Sequence, residues 1–296
     1  MLKNNYVKVN ARFSNPFLFC ITNRGFYSEV NNLLNAILYG LVAKRRLSVD
    51  QSSFADGGLV WADLYRSQLP WSSGEISSSN DLMSVIAGVE SSGFDALGHL
   101  IMSWHQKRRF FLSRTYGFYK NVYAAKRHLA SHFLQPLQHT ECPGPLQEPY
   151  AAIHVRRGDK LHGYMHHGTL RVEGEDISAR KYLQIIRRVT PNIRKLFIMT
   201  DDYQAVEKFR AIAAHMDIVS FCEKADHGYD QGQFSSLPSR TKTVMIRQLI
   251  LEAELASRSQ IFVGCYSSNV SRYIALIHRK PKSCYSVDSV EGWNPC

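Results

Sequence analysis

Three short polar clusters carry the residues able to do chemistry. The sharpest is His154-Val155-Arg156-Arg157-Gly158-Asp159-Lys160, which follows an apolar run, so two guanidiniums and an ammonium emerge together where a strand ends. Arginine forks suit phosphate oxygens, and fixed cations stabilise a leaving diphosphate most as its charge develops. A structural ion pair, such as Arg157 with Asp159, accounts for one arginine of the pair but not for both. Thr200-Asp201-Asp202 closes a second apolar run. Carboxylates in that place bind ribose hydroxyls or orient a basic partner, and one of the two suits a helix N-cap. The third cluster runs from Ile261 to Arg272, where a strand enters a tight turn and then a helix start with Ser267, Ser268 and Ser271. Free backbone amides at such a start attract anions. Capping by Ser267 explains one serine and leaves the rest of the polar run for a ligand.

The elements that must hold these clusters follow from the apolar pattern. Tyr150 to Val155 reads as a strand, Ser178 as the cap of a helix to about Val189, and Lys195 to Thr200 as a strand. Tyr203 to Ala214 reads as a helix, Asp217 to Phe221 as a strand, and about Arg240 to Ser257 as a long amphipathic helix. Gln260 to Gly264 is then a strand and Ser267 to His278 a helix. Such alternation implies a parallel sheet covered on both faces, with ligands beyond the C-terminal strand ends, where all three clusters lie.

Nearer the start, Phe17 to Thr22 is a strand and Asn23-Arg24-Gly25 a turn. A helix carrying Val30, Leu33, Leu34, Ile37, Leu38 and Leu41 comes next, then a strand from Arg46 to Asp50, a β-α-β opening. Phe54 to Gly98 suggests loops and short helices, and about Leu100 to Gln135 reads as helical and basic. Pro143, Gly144, Pro145 and Pro149 punctuate a boundary, dividing the chain into domains 1–149 and 150–296.

Composition narrows the partners. The 36 basic and 25 acidic residues give a formal charge of +11, which attracts nucleic acid, anionic lipid or diphosphate ligands. No nucleic-acid-binding motif accompanies it, so no nucleic-acid partner is expected. The six cysteines are scattered without paired spacing and are expected to be reduced. His162, His166 and His167 lack a ligand pattern and read as a polar loop over the site, with no metal. No apolar run approaches a bilayer span, and Met1 to Asn15 carries no signal core, so a cytoplasmic protein is expected.

Taken together, the three clusters and their spacing resemble the alpha-1,6-fucosyltransferases, within a superfamily that also holds alpha-1,2- and protein O-fucosyltransferases. Gly25-Phe-Tyr-Ser-Glu29-Val-Asn-Asn32 is similar to the family's glycine-led loop into a helix. Arg46 to Asp50, with Gly57-Gly58 and Val60-Trp61, is similar to the family's next segment. The resemblance is thin between about Arg66 and Pro149. It implies two Rossmann-like α/β domains facing a cleft, the GT-B arrangement, with an N-terminal domain on the acceptor side and GDP held by the C-terminal one. It further implies GDP-fucose as donor, an inverting glycosyltransferase reaction and neither metal nor other cofactor. Arg156 and Arg157 would engage the diphosphate with Lys160 beside them. His154, Asp201, Asp202, Glu252, Ser267 and Ser268 would line the GDP pocket, joined by Gly25 and Glu29 of the first domain. Glu252 stands where the family has aspartate. The family's base is a glutamate shortly after the arginine motif; counting back from Tyr182 puts Glu173 there, with Glu175 and Asp176 close by. The chain has no room for the family's N-terminal coiled coil and C-terminal SH3 domain, which opens the question of the acceptor. Other readings are a transferase using another GDP-sugar, and a non-catalytic glycan- or nucleotide-binding protein on the same fold. The charge further suggests peripheral contact with an anionic membrane bearing a lipid-linked glycan acceptor, through Lys107-Arg108-Arg109 and Lys126-Arg127; a free oligosaccharide is the alternative acceptor.

Overall fold

The computed structural model describes residues 3–55, 58–66, 69–71, 101, 104, 110–113, 117–137, 146–147, 149–166, 169–171, 175–289 and 293. The chain forms two compact units: residues up to 138 with 238–246, and residues 139–237 with 247–293. The sequence reading places one boundary, after residue 149. Within the first unit, the buried Lys242 ammonium donates to the Ala55 carbonyl at 3.0 Å, which ties 238–246 to the early chain.

The first unit opens with α1 (Lys3–Asn10), β1 (Asn15–Cys20), α2 (Phe26–Ala43) and β2 (Arg45–Asp50). β1 and β2 run parallel, with Phe17 beside Leu47 and Phe19 beside Val49, all four buried. Alternation of apolar residues puts that face on the core, where α2 lays Val30, Leu34, Ile37 and Leu41. The Asn10 amide donates to the Leu47 carbonyl and accepts from its N–H, both at 2.7 Å, so a side chain substitutes for a neighbouring strand. A hairpin of β3 (Phe110–Ser113) and β4 (Gly117–Tyr119) precedes α3 (Val122–Phe133). The expectation of helix through this region is thus corrected: aromatic residues favour the hairpin, and Asn121 starts the helix by accepting the Ala124 N–H at 2.9 Å. Lys126 is 1 % exposed, so it is not a membrane contact. Lys107, Arg108 and Arg109 lie outside the described residues.

The second unit contains β5 (Ala151–Val155), α4 (Asp159–His162), a short antiparallel hairpin of β6 (Tyr164–His166) and β7 (Thr169–Arg171), α5 (Ala179–Val189), β8 (Lys195–Thr200), α6 (Tyr203–Ile212), β9 (Asp217–Val219), α7 (Gln231–Ser236), the part of α8 (Ser239–Arg258) from Arg247 onward, β10 (Ile261–Gly264), α9 (Asn269–Ile277) and β11 (Cys284–Ser286). Five strands form one parallel sheet in the order β11-β10-β5-β8-β9. β5 is central and buried at all five residues, as a strand covered on both faces must be. Its Ile153 pairs with Ile198 and Val263 on the neighbouring strands and shares one buried cluster with Leu183 and Val206. Burying each such side chain contributes about 1.5–3 kcal/mol. The ends of β5, β8 and β10 lie side by side, so the three polar clusters leave the sheet at one edge. No helix is long and apolar enough to cross a membrane among the described residues.

Candidate functional site

Asp201, at the end of β8, organises the arginine loop. Its Oδ1 accepts the Arg157 backbone N–H at 2.8 Å, and its Oδ2 accepts the Tyr229 N–H at 3.0 Å. Oδ2 also receives Nη1 of Arg156, whose Nη2 donates to Asp159. The ring of Tyr229 lies under the Arg156 guanidinium, 4.8 Å from centroid to Cζ. Burial pulls the Arg156 pKa down, and Asp159 and Tyr229 oppose that pull. Of the two sequence readings of Asp201, ribose binding or orienting a basic partner, the geometry realises the second.

Arg157 forks onto Asp176 through Nη1 at 2.6 Å and Nη2 at 3.2 Å. Its Nε sits 2.9 Å from Asp202 Oδ2, yet the N–H is not aimed at that oxygen and has no hydrogen-bond partner. The ion pair expected between Arg157 and Asp159 is instead made by Arg156, because the first turn of α4 folds Asp159 back on the residue three before it. Both arginines are therefore paired with carboxylates, contrary to the expectation that only one would be. Asp202 caps α6 by accepting the Gln204 N–H at 2.9 Å.

Asp176 is 51 % exposed and also lies 3.5 Å from the Lys208 ammonium. Partial burial raises its pKa, but bonding to Arg157 and the charges of Arg157 and Lys208 outweigh that and leave it lowered. Glu175 is exposed, and Glu173 lies outside the described residues. Lys160 is half-buried; burial lowers its pKa, and the charges of Arg156 and Arg272 lower it further against Asp159. Arg272 thus joins Arg156 and Lys160 in one cationic field, a role the sequence reading did not assign it. Its Nε donates to the Tyr266 carbonyl at 2.7 Å, and its guanidinium lies 4.4 Å from the Tyr266 ring centroid.

Two expectations at the β10–α9 turn are corrected. The amides of Tyr266 and Ser267 are not free: they donate to Asp288 at 2.5 and 3.1 Å, with the Ser267 hydroxyl at 2.8 Å and that of Ser286 at 2.6 Å. Burial raises the Asp288 pKa, but these bonds more than reverse it. The anion attracted to this turn is the protein's own carboxylate, and the Ser267 hydroxyl is committed to it. Ser268 occupies the N-cap position of α9, is buried and makes no side-chain cap bond.

His154, expected in the donor pocket, faces the interior instead. It is 4 % exposed, and its Nδ1 lies 2.7 Å from the Ser271 hydroxyl. Burial, then the charge of Arg156, lowers its pKa to about 3, so the ring is neutral near pH 7. The strand pleat decides this, since residue 154 of a doubly covered strand has only core on either side. Close approach of α9 requires Gly264, where a Cβ would stand 2.6 Å from Ser271 Oγ.

Glu252, on α8, is 7 % exposed and accepts one bond, from Gln248 Nε2 at 3.0 Å. Burial raises its pKa to about 7, the Gln248 bond lowers it and Asp226 raises it. Together with Asp226 and Asp202 it also raises the Cys222 thiol, first lifted by burial, to about 12. Glu29, in the first unit, is 1 % exposed with one carboxylate oxygen taken by the Thr22 N–H at 2.8 Å and the other by its hydroxyl at 3.0 Å. It braces the loop before α2 and is corrected from ligand contact to structural support. Gly25 sits at the N-cap of that helix. Among the described residues, no group of three or more His, Cys, Asp or Glu is placed to hold a metal ion.

No protein-family model matches the sequence, and no curated protein matches it. Solved structures do. The fucosyltransferase NodZ from Bradyrhizobium matches with a TM-score of 0.51 at 12% identity, over 89% of this chain and 94% of that one. Arabidopsis thaliana FUT1, a point mutant in complex with GDP, gives 0.46 at 12% identity over 93% and 72%, respectively. POFUT1 in complex with GDP gives 0.44 at 12% identity over 92% and 98%. The first likeness establishes a shared mixed α/β fold with parallel sheets.

Proposed function

We propose that this chain is an inverting, metal-independent fucosyltransferase that moves fucose from GDP-fucose to a glycan hydroxyl, alpha-1,6-fucosyltransferase-like in its linkage. The observation that carries the reading is the convergence of Arg156, Lys160 and Arg272 at the sheet edge, with Arg156 fixed by Asp201, on the fold shared with NodZ.

In this reading Arg156 and Lys160 meet the diphosphate, and Arg157 joins once phosphate replaces the exposed Asp176 in its fork. A guanidinium accepts that exchange readily, because both anions present paired oxygens to the same two N–H groups. Glu252 reads the base: a carboxylate is complementary to the N1–H and 2-amino donors of guanine. Glu173 takes the acceptor proton as the acceptor oxygen bonds to fucose C1. The bond from C1 to the diphosphate oxygen breaks on the opposite face, and GDP leaves with the electron pair. A beta-linked donor then gives an alpha product. General-base assistance of this kind contributes about 10²–10⁴-fold.

The test is turnover with a panel of nucleotide-sugars and candidate glycans. GDP-fucose hydrolysis or transfer supports the reading, and turnover only with another GDP-sugar would change the sugar while keeping the site. Absence of both turnover and donor hydrolysis, with GDP bound, would favour a binding protein.

A further inference from the structure

Resting on that reading of the site, we propose that Tyr229 is a positioning residue that holds the Arg156 guanidinium flat, locked under the arginine loop by Gly228. The segment from Asp226 to Gln231 comes after β9 and supplies none of the substrate-contacting residues named above. Even so, it is tied both to the arginine loop and to the end of β8. The Gly228 N–H donates to the Asp201 carbonyl at 2.7 Å, the Tyr229 N–H to Asp201 Oδ2 at 3.0 Å, and the Asp159 N–H to the Tyr229 carbonyl at 2.9 Å. The Tyr203 N–H donates to the Asp226 carbonyl at 3.0 Å, and Asp202 bridges to His227.

Two glycines make this contact possible. Gly158 has φ +49° and Gly228 φ +102°, conformations that side chains resist. A Cβ on Gly228 would stand 2.5 Å from the Gly158 Cα, and one on Gly158 would overlap the Tyr229 backbone. Backbone therefore packs on backbone, and the Tyr229 ring arrives beneath Arg156. The ring is itself fixed, its hydroxyl donating to Gln231 Oε1 at 2.8 Å and its centroid 5.6 Å from that of Phe234.

Arg156 is consequently held on two edges by Asp159 and Asp201 and on one face by an aromatic ring. A cation fixed before reaction needs no reorganisation as charge develops on a phosphate. In this proposal Tyr229 acts through Arg156, whose guanidinium lies over its ring. The ring face supplies the attraction, so phenylalanine preserves it and an aliphatic residue does not.

A mutant cycle tests this on the full chain, reading kcat, donor KM and GDP affinity, with thermal unfolding to check folding. Tyr229→Leu is expected to lower kcat about tenfold with little change in donor KM, and Tyr229→Phe to stay within about threefold. In an Arg156→Ala background, Tyr229→Leu should change neither turnover nor GDP affinity further. If the Leu variant does not fold, Tyr229→Met fills the space without a ring face and is judged by the same criteria. A folded Leu or Met variant with kcat within about twofold of the parent, or a loss that multiplies with Arg156→Ala, overturns the role of Tyr229. Arg156→Ala that leaves both turnover and GDP affinity intact overturns the reading of the site instead.

Discussion

Replacing Glu252 with glutamine separates the cost of a buried carboxylate from its use. Glu252 is 7 % exposed, and its pKa is raised from 4.5 to about 7, by burial first and by Asp226. Below about pH 4.5 the carboxyl is protonated in folded and unfolded chains alike and carries no pH-dependent cost. Between about 4.5 and 7 the unfolded chain releases the proton while the folded one keeps it, so stability falls as pH rises. Above 7 both are ionised and the deficit stays constant, of the order of 3 kcal/mol at about 1.36 kcal/mol per decade. Glutamine has the same shape and retains an acceptor for Gln248 without the charge. Glu252→Gln is thus expected to raise Tm by several degrees at pH 8, to leave it unchanged at pH 4.5, and to flatten the slope between them. Because the amide cannot accept both guanine donors, GDP affinity should fall at least about tenfold. Thermal unfolding across pH, with and without GDP, reads both effects. A Tm profile parallel to that of the parent at every pH would refute the electrostatic argument, and undiminished GDP affinity would remove Glu252 from the base pocket.

Ile153→Ala, at the centre of the second unit's sheet, should cost about 2–5 kcal/mol, seen as a lower urea midpoint with an unchanged slope. Saturating EDTA should leave fucosyl transfer unaltered; activity lost and then restored by Mn²⁺ would show a metal requirement. Contact with an anionic membrane is expected through the exposed basic face of α5, where Arg180, Lys181, Arg187 and Arg188 stand beside a buried Tyr182, Leu183 and Ile186. Reversing two of these charges should abolish co-sedimentation with phosphatidylserine vesicles at low salt, each basic residue contributing about 1 kcal/mol. Failure of the parent to co-sediment at low salt would remove the membrane surface from the account.

Local pattern made much of the second unit legible. Lys195 to Thr200 is a strand as read, because an apolar run closed by Asp201-Asp202 leaves few alternatives, and the helix read from Arg240 to Ser257 spans Ser239–Arg258. The hairpin before α3 escaped because its signal is a few aromatic residues inside a basic stretch. At the site, strand ends and charge types were legible but partners were not. Asp201 accepts from Tyr229 across 28 residues of chain and Asp288 from Tyr266 across 22, and no spacing rule reports such contacts. The inward turn of His154 was within reach, since a strand covered on both faces leaves its ring no exposed side. Asp288 lacked even that signal: a lone acid near the C-terminus gives no sign that it satisfies a turn more than 20 residues earlier.

In the proposed reaction the cations at this sheet edge hold the diphosphate of a guanine nucleotide. Calorimetric titration of GDP and UDP, in EDTA, into the parent and Arg156→Ala decides this. GDP is expected to bind the parent far more tightly than UDP and to lose at least about tenfold in affinity with Arg156→Ala. Equal binding of UDP, or GDP affinity indifferent to Arg156, would contradict it.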